Sequence, residues 1–208
     1  MELRFPDHEM LPSYIAALRR GWSPSSSNPS LRVRELEKVE ADPDRFLAEQ
    51  VDVEGKGPPV ELPDGSTVDR IPGYRKWMWD GEYCGSISFR WLPPQPDRPL
   101  EALPPHVLGH IGYGVVPWKR RQGYASQALK MLVPEVAARG FRYVELTTDV
   151  DNVGSRKVIE SAGGELYERF TMPRSHGAGP GLRYRIVLGS SMGADVAVPP
   201  PDQNGTQP

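Results

Sequence analysis

The stretch that most constrains this chain is Gly114 to Val133, GVVPWKRRQGYASQALKMLV. An apolar run stops at Pro117, three cations follow at Lys119, Arg120 and Arg121, and Gly123 opens a new pattern. Ala128, Leu129, Leu132, Val133 and Val136 recur at helical spacing, which predicts an amphipathic helix from about Tyr124 to Arg139. Gly140 stands where a C-terminal cap belongs, and Pro134 should kink the last turns. A strand that enters a helix through a glycine turn exposes unpaired N–H groups at the positive end of the helix dipole, which attracts anions. Gly123 lets a phosphate approach the backbone, and arginines can add two-pronged contacts. A pyrophosphate fits this arrangement better than a nucleic-acid strand does. Two other phosphate-binding patterns fail: there is no GxxxxGK[ST], and Gly109, Gly112 and Gly114 fall within a strand, where glycine more often marks a bulge.

The cations need this local explanation because the chain as a whole is slightly acidic, with a formal charge of -2 and a pI near 6.1. A general nucleic-acid binder needs a broadly basic surface, so RNA binding through Lys119, Arg120 and Arg121 is a minor reading. Cys84 is the only cysteine, which leaves no internal disulfide and no cysteine-based zinc site. The four histidines show no metal-ligand spacing, so no metal is expected. The N-terminus lacks the apolar core of a signal peptide, no run approaches membrane-spanning length, and the expected location is the cytoplasm.

Elsewhere, LPSYIAALRRGW and LRVRELEKVEADPDRFLAEQ read as helices, with Asp42-Pro43 as a cap-and-start signal. From Val60 the pattern becomes strand. Asp64-Gly65 and Asp80-Gly81 mark two hairpins, and Trp77, Trp79, Phe89 and Trp91 alternate as core residues, one or two of which could line an acceptor pocket. HVLGHIGYGVV, FRYVELTTD, ELYERFT and LRYRIVL read as further strands, and NVGSRKVIESAGG as a helix. The order predicts a mixed α/β sheet with helices on its faces, in a single domain over 1–188. Residues 189–208, rich in proline and small residues, read as a disordered tail.

VVPWKRRQGYASQAL resembles the acyl-CoA signature of the GNAT superfamily of N-acyltransferases, [QR]-x-x-G-x-[GA], here Arg120-Arg-Gln-Gly123-Tyr-Ala125. DNVGSRKVIESAGG is similar to the N-x-x-S-x-x-x-x-E-x-x-G pattern of its ribosomal-protein N-terminal acetyltransferase subgroup, with Asn152, Ser155, Glu160 and Gly163 on the matching positions. The N-terminal helix and the meander rich in Trp and Asp-Gly look like a bacterial branch of predicted acetyltransferases.

The resemblance implies a GNAT-type sheet, mixed and mostly antiparallel, with two splayed parallel strands forming a cleft for acetyl-CoA, the acyl donor. A strand at about Val107 to Val116 would carry a bulge and pair with the pantetheine through Val115 and Val116. Arg120, Arg121, Gln122, Gly123, Tyr124 and Ala125 would hold the pyrophosphate, and Asn152 and Ser155 would lie near the cofactor or cap the helix. The implied reaction is transfer of an acetyl group to a primary amine by direct attack in a ternary complex. The alternative is an inactive acyl-CoA-binding sensor or scaffold.

Such a reaction needs a deprotonated amine, a stabilised oxyanion and a protonated leaving thiolate. The oxyanion donor is expected from a backbone N–H around Tyr113 to Val115. The tyrosine acid common in the family is absent, because Val158 stands at its position; Ser155 is a substitute. His110, Glu145 and Asp149 are candidate bases, Tyr113 and Tyr167 candidate proton donors, and His176 a candidate substrate contact. Glu82 reads as an exposed hairpin residue, and Cys84 as buried filler rather than an acylated nucleophile. The acceptor is an unknown amine, a small molecule or a peptide N-terminus, and a homodimer is left open.

Overall fold

Hairpins, helices and strands follow one another in a computed structural model that describes residues 1–25, 29–61, 66–173 and 178–189. The elements are β1 (Glu2–Arg4), α1 (Leu11–Arg19), α2 (Leu31–Ala41), α3 (Pro43–Ala48), β2 (Val51–Asp52), β3 (Val60–Glu61) and β4 (Thr67–Val68). They continue with β5 (Gly73–Trp79), β6 (Tyr83–Arg90), β7 (Ile111–Val115), α4 (Tyr124–Ala138), β8 (Tyr143–Asp149), α5 (Val153–Ser161), β9 (Gly164–Thr171) and β10 (Pro180–Val187).

Among the described residues the strands form two larger antiparallel sheets and a separate two-stranded ladder of β3 and β4. In the first, β5, β6 and β7 are laddered in that order, with β1 and β2 sharing the outer edge of β5. In the second, β10 lies between β8 and β9. No ladder joins β7 to β8, the edge strands where the two sheets meet. The β5–β6 hairpin turns at Asp80-Gly81, where Gly81 takes φ 101°. The tip of the β3–β4 hairpin, Asp64-Gly65, lies outside the described residues, as do His176 and the tail from Ser190.

Strand alternation sends the two faces of the first sheet to two cores. One face, carrying Tyr74, Met78, Ile87, Phe89 and Ile111, packs on Ala128, Leu129, Leu132 and Val136 of α4. Burying Leu129 or Leu132 there contributes roughly 2 kcal/mol each. Lys76 crosses from this face to Glu135 of α4 at 2.6 Å. The other face carries Trp77, on which Tyr14 of α1 stacks at 4.5 Å between ring centroids, with Leu18, Val39 and Phe46 around it. Trp77, Phe89 and Trp91 are therefore core residues.

Three local expectations change. The strand before the basic turn is shorter than 107–116, because the chain at Leu108 to His110 bends to meet β8. It carries no bulge: β7 pairs with β6 in continuous register from Gly85↔Val115 to Phe89↔Ile111. The irregularity lies opposite, at Gly85 (φ 150°), where a Cβ would come 2.1 Å from the Gly114 carbonyl oxygen. The assigned α4 helix runs unbroken through Pro134.

Candidate active site

The basic turn has the backbone of an anion cradle. Arg121 (φ 66°) and Gly123 (φ 82°) both adopt the left-handed region, and α4 begins at once, with no side chain capping it. Among the described residues, no acceptor takes the N–H of Arg121, Gln122, Gly123, Tyr124, Ala125 or Ser126; the first helical bond back into the turn comes from Gln127 to the Gly123 carbonyl, at 2.9 Å. Six consecutive donors at the positive end of a fifteen-residue helix make a strong electrostatic sink for negative charge.

The three cations divide their work. Lys119 is spent within the protein, on Asp80 at 3.0 Å and Glu82 at 2.7 Å. Arg120 donates from Nε to the Val115 carbonyl at 3.2 Å, and Arg121 forms no ion pair among the described residues. Tyr124 also bonds Asp80, so the β5–β6 hairpin anchors the entrance of α4. Partial burial works against ionisation of Asp80, but bonds from Tyr124, the Cys84 thiol and Lys119 outweigh it and hold the carboxyl well below its usual range. The Cys84 thiol is pushed up to about 12 by burial and by Asp80, which keeps it a thiol at neutral pH.

Alternation of the ladder decides what β7 presents to β8. Arg90 donates to the His110 carbonyl, and Val116 to the Cys84 carbonyl. Even-numbered residues therefore bond β6, and the N–H and C=O groups of Ile111, Tyr113 and Val115 face away from it. Val116 itself is fully buried, and the accessible rim of the strand is Gly112 to Val115.

Where β7 begins, the His110 N–H donates to the Glu145 carbonyl at 2.7 Å and the Glu145 N–H donates to His110 Nδ1 at 2.9 Å. His110 Nε2 lies 3.1 Å from the Glu101 carbonyl and, being the remaining protonated nitrogen, donates to it. The ring is fully buried; burial lowers its pKa to about 4 despite nearby Glu145, so it is neutral at pH 7. The Glu145 carboxylate faces Arg185 at 2.7 Å and Arg183 at 3.8 Å. Asp149 ends β8 on the surface, and Tyr167 is exposed on β9 beneath Arg185.

Across the gap, Asn152 caps α5 by accepting from the Ser155 N–H at 3.0 Å. The Ser155 hydroxyl lies 2.9 Å from the Tyr113 hydroxyl, which also donates to the Ser155 carbonyl at 3.2 Å. Tyr113 thus reaches from β7 to the first turn of α5, and burial pushes its pKa up to about 12. The structure brings Tyr113, Ser155 and Asn152 together at one side of the β7 rim, with the basic turn at its end. His110 and Glu145 lie at the closed start of the strands.

The sequence reading missed a cavity of about 950 Å³ on the opposite face, under α2, floored by Arg75, Ser88 and Arg90. Period-two alternation alone marks Arg75 and Arg90 as sharing a face with Trp77, but it does not say that the face is hollow there. Among the described residues no His, Cys, Asp and Glu cluster could hold a metal ion, and no helix is long and apolar enough to cross a membrane.

A family model described as acetyltransferase (GNAT) family matches residues 33–163, more than half of the chain. No curated protein sequence matches at a significant level. Among solved structures, RimL, a ribosomal L7/L12 alpha-N-protein acetyltransferase in complex with coenzyme A, aligns with a TM-score of 0.57 at 17% identity, over 90% of this chain and 94% of that one. The microcin C7 self-immunity acetyltransferase MccE, in complex with acetyl-CoA and AMP, aligns with a TM-score of 0.52 at 14% identity, over 89% and 91%. An N-acetyltransferase from Staphylococcus aureus Mu50 gives 0.50 at 16% identity, over 90% and 98%. At these identities the likeness is one of fold.

Proposed function

This chain belongs to the GNAT acetyltransferase family, and from that premise we propose that it transfers an acetyl group from acetyl-CoA to a primary amine, by direct attack while both substrates are bound. The observation that carries this reading is the run of six N–H groups without acceptors, Arg121 to Ser126, beside a strand rim whose odd-numbered backbone groups are free of β6. The first would hold the pyrophosphate, with Arg120 and Arg121 adding charge. The second would hold the pantetheine through Tyr113 and Val115. When bound, acetyl-CoA supplies an activated acyl carbon and a thiolate leaving group.

The residues then take separate roles. A cleft-facing N–H of Tyr113 or Val115 stabilises negative charge on the acyl oxygen; losing one such donor in acyl transfer costs about 3–4 kcal/mol. The Tyr113–Ser155 hydroxyl pair holds a proton near the departing sulfur, in place of the missing helix tyrosine. His110 and Glu145 are assigned no proton transfer with substrate, since their nitrogens and carboxylate are already engaged; they are positioning residues. Cys84 is buried and stays protonated, in keeping with direct transfer rather than an acyl-enzyme.

Thiol release from acetyl-CoA, followed against a panel of amines, tests the reading. Amine-dependent release is expected. Tight CoA binding with no release for any amine would overturn it in favour of an inactive binding module.

A further inference from the structure

The cavity under α2 lies on the sheet face opposite α4 and is lined there by residues of β5 and β6. Its floor includes Arg75 on β5 and Ser88 on β6, which pair in register, and Ser88 pairs in turn with Gly112 on β7. Arg90 lies diagonally from Arg75, two residues beyond its partner Ser88, so the two side chains are neighbours on one face. The Arg90 guanidinium lies directly over Gly112, where a Cβ would come within 2.7 Å of Nη2, so glycine at this position makes its room.

These two arginines differ from every other cation lining the cavity. Arg34 is paired with Glu61 at 3.2 Å, Lys38 with Glu49 at 3.7 Å and Arg70 with Asp52 at 3.8 Å. Among the described residues neither Arg75 nor Arg90 forms an ion pair, and Arg90 finds only the Ser88 hydroxyl, at 3.4 Å. Glu35, the carboxylate that Arg75 feels most, lies beyond pairing distance and accepts from Tyr14 at 2.6 Å. Glu35 offsets the burial of Arg75, but Arg90, part-buried beside Arg75 and outside any ion pair among the described residues, is in a costly position, because burial weakens hydration and the like charges repel. The cost is visible at Arg90, lowered to about 10 by burial and by Arg75. A planar fork of donors matches carboxylate and phosphate oxygens, and an acidic ligand would relieve both strains at once.

We propose that this cavity is the acceptor site and that Arg75 and Arg90 on its floor select an amine whose own molecule carries an acidic group, a carboxylate or a phosphate. The inference rests on the transferase reading for the amine, and on the cavity alone for the acid. Arg90 sits over Gly112, and the acyl group in that reading lies near Tyr113 to Val115. One to three residues of strand separate them, about 3–10 Å. The acceptor is therefore a small molecule with amine and acid a few bonds apart.

The test uses two measurements. First, calorimetry with inorganic phosphate and with acetate on the CoA-loaded protein, whose turn is filled, compares wild type with Arg75→Gln and Arg90→Gln. Binding in wild type that weakens at least tenfold in either variant supports the arginine site; equal binding in all three overturns it. Second, matched acceptors are compared for kcat/KM: ω-amino carboxylates against their amides, and aminoalkyl phosphates against the amino alcohols. A preference of at least tenfold for the acidic member, reduced to within about twofold in the variants mainly through KM, supports the proposal, and the better series names the acid. Equal rates overturn it while leaving acetyl transfer intact. If CoA does not bind, the donor reading falls, and the phosphate comparison on the unloaded protein still decides the arginine site. Arg90→Lys, which keeps the charge and loses the fork, guards against a folding defect and should retain part of the binding.

Discussion

His110 and Glu145 exchange two hydrogen bonds, at 2.7 Å and 2.9 Å, and in one of them an imidazole nitrogen takes the place of a backbone carbonyl. This contact joins two sheets that no ladder connects. A side chain there ends the pairing after one residue, where a backbone carbonyl would let it continue. The vertex is also pH-sensitive. His110 has its folded pKa lowered from 6.5 to about 4, so the unfolded chain binds a proton more readily. Its contribution is full above pH 6.5 and is lost as pH falls toward 4, by about 3 kcal/mol. Urea unfolding at pH 7 and pH 4.5 should show this loss in wild type and a shallower one in His110→Asn; parallel losses would refute it.

Gly123→Asp should weaken CoA binding by 50-fold or more in calorimetry. The new side chain puts a negative charge at the six free donors, on a residue that needs φ 82°. A folded variant, judged by circular dichroism, with unchanged affinity would contradict the phosphate role of the turn.

Tyr113→Phe and Ser155→Ala each remove one member of a hydroxyl pair 2.9 Å apart. Under the proposed mechanism each lowers kcat by about 100-fold with little change in the KM for acetyl-CoA, at the low end of the usual range for a lost proton donor. The double variant should cost little more than either single one, because the two act as a unit. Additive losses in steady-state kinetics would separate the two hydroxyls.

Asp80→Asn removes the charge that gathers Lys119 and Tyr124 at the start of α4. The expected effect is about 1–2 kcal/mol of lost stability by chemical denaturation. CoA affinity should stay level or rise, because Lys119 is released toward the turn. A large fall in affinity without loss of stability would place Asp80 in the site itself.

Much of this was legible from residues alone. The strand, turn and helix needed only Pro117, Gly123 and the apolar spacing behind it, because the backbone of a helix start is a local property. The hairpin at Asp80-Gly81, the core aromatics and the Asn152 cap are local for the same reason. His110 was legible as a strand histidine with a useful intrinsic pKa, and its residue type gave no sign that β8 would occupy Nδ1. Tyr113 and Ser155 lie 42 positions apart in the chain, and they meet only because the edges of two sheets converge.

The proposed donor site is therefore written in sequence, since one strand, one turn and one helix would carry it. Tertiary packing decided the rest: which histidine is spent as a joint, which tyrosine reaches the serine, and where two neighbouring arginines are left without an ion pair among the described residues. Charge balance and burial at a site depend on every element that surrounds it. For Arg75 and Arg90 those elements are three strands and the α2 helix, drawn from distant parts of the chain.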